Sequence, residues 1–290
     1  MSSGDGPFGP VVNGTQIVFF EYRPNKPAAF TFVALFGLAT LVHLILFFVL
    51  RAWYFIPFLL GGVAETFGYY GRAMASDKPD QVGPFILQNL LLLGGTPFLA
   101  ATIYMSLGRM TTALESQGYS HISTRWLTAV YVLIDLGCIA TQFIGSVIPA
   151  SGDPSAATQG KVIVLSGLII QLVAFFFFIL LCWYIHKRLR RGDAYAIGDR
   201  GLARWPRYLI AIEVVMVLMI TRSVVRTVEF GQGSDGFVIT HEVFIYVFDA
   251  TLIFLVMFIL AVIHPSRLIR EMRKSKGDSE GRFMLESRGG

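Results

Sequence analysis

The sequence predicts an all-α polytopic membrane protein: seven transmembrane helices in one bundle, N-terminus outside and C-terminus in the cytoplasm. Three observations carry this. Of 290 residues, 54% are hydrophobic and only 15% charged, where a soluble domain is closer to a quarter charged. Seven apolar windows of bilayer-spanning length, about 20 residues each, run over 28–50, 53–71, 84–107, 126–148, 162–185, 207–229 and 241–263. Finally, lysine and arginine are unevenly placed. With the N-terminus outside, 17 of the 24 fall on the inner side and five on the outer, leaving Arg222 and Arg226 inside a span. Positive charge stays in the cytoplasm, so that orientation is adopted.

In chain order, residues 1–27 form an exoplasmic tail, 28–264 the bundle and 265–290 a basic cytoplasmic tail. The first tail holds Asn13-Gly14-Thr15, a glycosylation sequon on the side where it can be used. No signal-peptide pattern precedes residue 28, so the first helix is expected to act as its own targeting signal. The net charge of +5 is not a nucleic-acid signature, because the excess sits in His186–Arg191 and His264–Lys276, beside the inner face. Such clusters set topology and attract anionic lipid head groups. Cys138 and Cys182 both lie inside helices, which leaves no outer-loop disulfide framework.

The informative residues are the charges inside the spans. Helix two carries Glu65 and Arg72, seven apart on one face, and helix three carries Gln88 and Asn89. Gly94-Gly95-Thr96-Pro97 then predicts a bend or break at mid-membrane, where neighbours must satisfy the freed backbone. Asp135 and Gln142 are seven apart on helix four, and Gln171 lies on helix five. Arg222, Arg226 and Glu229 on helix six, and Glu242, Tyr246 and Asp249 on helix seven, each follow i, i+4, i+7, one helical face. At about 1.5 Å per residue in antiparallel helices, Arg222 is level with Asp249. Arg226 comes near Tyr246 and within reach of Glu242. Embedded ionisable groups normally face the bundle interior, paired or lining a cavity. The polar faces of helices two, four, six and seven are therefore expected to converge on one interior site in the outer half of the bilayer. Five acids stand against three arginines in this set, which points to protonated carboxylates or a bound cation or amine.

Several functions are disfavoured. No span has the central lysine that a retinal Schiff base needs, and Thr158-Gln159-Gly160-Lys161-Val162 lacks the spacing and hydroxyl of a phosphate-binding loop. A zinc hydrolase needs about three convergent ligands, whereas His43, His121, His186, His241 and His264 are scattered over both faces.

These residues also carry a resemblance. ETFGYYGR, QNLLLLGGTPFLAATIYMSLGRM, Asp135 with Gln142 and Gly145, GLIIQ, RSVVRTVEF, the Glu242–Tyr246–Asp249 triple and His264-Pro265 stand in order over about residues 28–266. The sequence resembles the fungal RTA-like family, named for resistance to aminocholesterol and classed as lipid-translocating exporters. The resemblance implies a fungal, non-enzymatic exporter in the plasma membrane, moving sphingoid long-chain bases or sterol-like amphiphiles. For some members it implies porphyrin or haem, so haem is a ligand the resemblance allows, while the residues themselves call for no cofactor or metal. The substrate-binding set is then Glu65, Arg72, Gln88, Asp135, Gln142, Gln171, Arg222, Arg226, Glu229, Glu242, Tyr246 and Asp249. Expected partners are membrane lipids and an amphipathic small molecule. Two alternatives stay open: a lipid-binding seven-helix receptor, and an intramembrane lipid-modifying enzyme with Asp135, Glu65 or Glu242 as general base.

Overall fold

The computed structural model describes residues 7–12, 15–16, 18–114, 124–148, 154–192, 205–233 and 236–274. It is a polytopic helical membrane protein. Seven long helices build it: α1 (Lys26–Leu50), α2 (Ile56–Asp77), α3 (Val82–Leu114), α4 (Thr124–Val147), α5 (Pro154–Gly192), α6 (Trp205–Gln232) and α7, which opens as a π-helix (Ile245–Ala250) and continues as α-helix (Thr251–Val262). One helical turn (Phe237–Thr240) precedes α7, and a further helix, α8 (265–274), follows it. Among the described residues, six helices are long and apolar enough to cross a membrane; α2, which carries Glu65 and Arg72, is the seventh long helix.

Each helix packs on its neighbours in the chain and α7 closes against α1, with α3 in the middle. The apolar window of α3 is 78% buried, against 17% for α1. Large side chains such as Leu38, Phe48 and Leu133 stand outward at more than 60% exposure. An apolar exterior of this extent is stable only against lipid.

Local chemistry sets the ends of α1. Asn25 caps its N-terminus by accepting from the Ala28 amide at 3.0 Å, with Pro27 in the first turn, where no amide partner is needed. Arg51 ends it in the left-handed region, φ 50°.

The expected break at Gly94–Pro97 is not found: α3 is continuous through Pro97. The glycines serve packing instead. A Cβ at Gly61 of α2 would come within 2.9 Å of the Gly95 carbonyl, and one at Gly95 within 3.1 Å of Glu65 Oε1. Where lipid is as apolar as the core, close backbone approach through small residues supplies much of the helix association. Gly61→Val should therefore cost about 1–3 kcal/mol, read as earlier melting in detergent. Gly83→Ala, with nothing within 4 Å of its Cβ, should melt like the parent. Equal melting of both variants would contradict the close α2–α3 contact.

The N-terminal segment is folded onto the bundle. Strands β1 (Val11–Val12) and β2 (Thr15–Gln16) pair antiparallel, and Phe8 pairs with Phe20 further out. Gly9 donates its amide to Asp80 Oδ1 at 2.8 Å, and Phe19 stacks on Phe85 at 4.2 Å. Asn13, the sequon residue, lies outside the described residues.

Candidate functional site: a polar cleft under the N-terminal segment

Two tiers of charge meet where α2, α3, α6 and α7 approach the N-terminal segment. Arg72, 1% exposed, is the hub of the upper tier. Its guanidinium donates to Glu242 Oε1 (2.8 Å), Tyr22 Oη (3.0 Å), Tyr246 Oη (3.1 Å) and Gln88 Oε1 (3.4 Å). Glu242 Oε1 also accepts the Asn25 amide at 2.7 Å. The Tyr246 hydroxyl lies 3.2 Å from both Glu242 Oε1 and the Asn25 carbonyl, alternative acceptors for its one proton. Burial raises the Tyr22 phenol above its ordinary pKa, against the lowering pull of Arg72, so the hydroxyl keeps its proton.

Asp249 is the hub of the lower tier. Both oxygens are taken, one by Arg222 Nε and the other by Arg226 Nη2. Arg222 Nη2 also reaches the Leu92 carbonyl on α3 at 3.2 Å, and Arg226 Nη1 reaches Glu229 Oε2 at 3.2 Å. Glu65 sits beside this tier, 1% exposed, and its Oε1 has no hydrogen-bond partner among the described residues. Buried charge in so apolar a setting persists only when paired and hydrogen-bonded.

Arg222 and Asp249, level by depth, are paired. The expected pairing of Arg226 is not found: Arg226 turns to Asp249 and Glu229, while Glu242 and Tyr246 belong to Arg72. The reason is the π-helical start of α7. Thr251 closes its backbone bond on Tyr246, five residues back, so regular α-spacing does not hold between Tyr246 and Asp249. Such π turns are rare and concentrate at functional sites. Here the turn separates Tyr246, facing α2, from Asp249, facing α6.

The expected convergence of helix four is also corrected. α4 packs between α3 and α5, and Asp135, Gln142 and Gln171 stand apart from the two tiers. Gln142 Nε2 donates to Gln171 Oε1 at 3.1 Å, tying α4 to α5. Asp135, 2% exposed, lies beside the Tyr104 hydroxyl of α3. Of the twelve expected residues, eight thus fall in the two tiers and Glu65 lies beside the lower one, while these three stand apart.

Between the two tiers and the N-terminal segment is a cleft of about 200 Å3. Arg72, Gln88, Arg226, Glu229 and Asp249 supply its polar wall; Phe19, Phe85, Phe230, Phe244 and Phe248 supply the apolar one. Residues 18–22 form its cover, and Tyr22 and Asn25 are network members that the span-by-span reading left in a tail. The Asn25-Lys26-Pro27 helix-start signal was there to find Asn25; nothing in the sequence marks Tyr22.

The family comparison covers this architecture. The model described as "RTA1 like protein" matches residues 58–272. This chain belongs to the RTA1-like family. Among its relatives, Protoporphyrin uptake protein 1 of Saccharomyces cerevisiae is 30% identical over 84% of this chain and 91% of its own. Protein RTA1 of the same yeast is 30% identical over 85% of this chain and 84% of its own. Its sphingoid long-chain base transporter RSB1 is 21% identical over 83% and 72%. No solved structure matches. The family match begins at residue 58, so Tyr22 and Asn25 lie before it, as does the rest of the cover.

Proposed function

We propose that the protein is a translocator of amphipathic, lipid-like molecules in the plasma membrane, exporting a sphingoid long-chain base or a sterol-like amphiphile. The observation that carries this is the two-sided cleft, with paired charges on one wall and a cluster of phenylalanines on the other. A ligand with one charged end and one apolar body uses both walls. Relatives named for long-chain base transport and protoporphyrin uptake support the class. Glu229 on the cleft wall and Glu242, bonded to the wall residue Arg72 and to the Asn25 amide, receive an amine head group, and the arginines hold them in place. Glu242 is the one nearest the cover, 20% exposed at its side chain.

Neutralising that carboxylate is the direct test. Glu242→Gln keeps the shape and removes the charge an ammonium meets. Cells carrying it should lose tolerance to a toxic long-chain base while surface display of the protein stays at the parental level. Unchanged tolerance and binding would overturn amine recognition.

A second reading has its own observation. Arg72 and Arg226 both line the cleft, and either can receive a carboxylate, such as a propionate of a porphyrin or of haem. Under that reading Arg226→Gln, rather than Glu242→Gln, removes binding.

A further inference from the structure

A second cavity, of about 760 Å3, opens at the opposite end of the bundle, the end that the lysine and arginine distribution assigns to the cytoplasm. It is formed where α1 ends, α2 begins, α3 ends and α8 follows α7. Its charged lining consists of Arg51, Arg109, Arg270 and Arg273, with no carboxylate. Among the described residues, no acid comes within ion-pairing distance of any of the four; the ion pairs all lie elsewhere. Arg109 is fixed by its guanidinium lying 4.6 Å over the Tyr54 ring, and Tyr54 is in turn bonded to Ser266 at 2.8 Å. Arg51 occupies a left-handed backbone position, φ 50°, that glycine fills at no steric cost. An arginine kept at such a position is a pointer to use of its side chain.

The mouth of this cavity is apolar and outward-facing. Phe48, Val49 and Trp53 line it and are 64%, 62% and 65% exposed. A free phosphate has no use for such a rim, whereas acyl chains continue along it into the bilayer. Trp53 sits where an interfacial aromatic is expected. Guanidinium groups suit phosphate oxygens, which they bind through two parallel hydrogen bonds.

We propose that this cavity binds the head group of a polyanionic phospholipid, with its phosphates on the four arginines and its acyl chains along Phe48, Val49 and Trp53. The site is independent of what the polar cleft carries. It anchors the meeting point of α1, α2, α3 and α8 to the inner leaflet.

The test uses purified full-length protein in a neutral detergent, with thermal unfolding followed during titration. The probes are a short-chain phosphatidylinositol bisphosphate, a phosphatidylcholine of the same chain length, and soluble inositol trisphosphate. The bisphosphate lipid should raise the melting temperature and the phosphatidylcholine should not. In Arg51→Gln/Arg270→Gln/Arg273→Gln, half-saturation should need roughly tenfold or more lipid, since each lost charge-assisted bond removes part of the binding. These three arginines are exposed, so the ligand-free variant should melt like the parent, which reads folding separately. Arg51→Lys/Arg270→Lys/Arg273→Lys, which keeps the charge, should recover part of the affinity. Equal stabilisation by phosphatidylcholine, or unchanged affinity in the glutamine variant, would overturn the site. Inositol trisphosphate binding as tightly as the lipid would overturn its assignment to a lipid.

Discussion

Replacing Asp249 with leucine is expected to be among the most damaging single changes to the fold. The substitution leaves buried Arg222 without an ion-pair partner and Arg226 with Glu229 alone, because Asp249 is the shared partner of both, which are 4% and 7% exposed. Removing one side of a buried ion pair costs about 3–5 kcal/mol, most of it the desolvated charge left behind. Arg222→Leu should cost less, since Asp249 keeps Arg226. The double variant Arg222→Leu/Asp249→Leu should recover part of the Asp249→Leu loss, since Arg226 keeps Glu229. Thermal melting in detergent of the parent, both single variants and the double variant completes the cycle. Strictly additive losses would mean that the two residues are not coupled.

Arg72→Met should have the second large effect, and a different one. Arg72 binds the N-terminal segment through Tyr22, and orients Glu242, which accepts the Asn25 amide. Each hydrogen bond to a charged group contributes about 1.5–3 kcal/mol. Loss of one such bond raises the open population of the covering segment roughly tenfold or more. Hydrogen–deuterium exchange at peptides spanning residues 7–25 should accelerate by that factor, with the α3 core unchanged. Tyr22→Phe should give a smaller increase. Unchanged exchange in Arg72→Met would show that the segment is held by its other contacts, Gly9 on Asp80, Arg23 on the Ser76 carbonyl, and Phe19 and Phe20 on Phe85.

Much of the fold was legible because membrane physics makes it so. Seven apolar windows gave seven helices, and membrane charges, costly to bury, marked the interior faces. Depth counting paired Arg222 with Asp249 across two helices. Three things could not be read the same way. Helical spacing was assumed through α7, and the π turn at Ile245–Ala250 broke that assumption, so Arg226 was given the partners that belong to Arg72. Glycines before a proline read as a break in α3, yet the same residues let α2 approach, a role that only the neighbouring helix defines. Shared depth of Asp135 with the other charges said nothing about lateral position, and α4 sits on the far side of α3. The N-terminal cover was invisible for a related reason: its contacts with residues 76–85 and with Glu242 join segments distant in sequence, and no periodicity encodes them.

The translocator reading meets its most direct test in purified protein reconstituted into sealed liposomes with a fluorescent long-chain base in the inner leaflet. Parent protein should accelerate appearance of the base in the outer leaflet. Glu242→Gln, reconstituted in equal amount, should abolish that acceleration while leaving the helical content unchanged. Movement no faster than in protein-free liposomes, together with retained binding of the base, would contradict translocation and leave a lipid-binding receptor in its place.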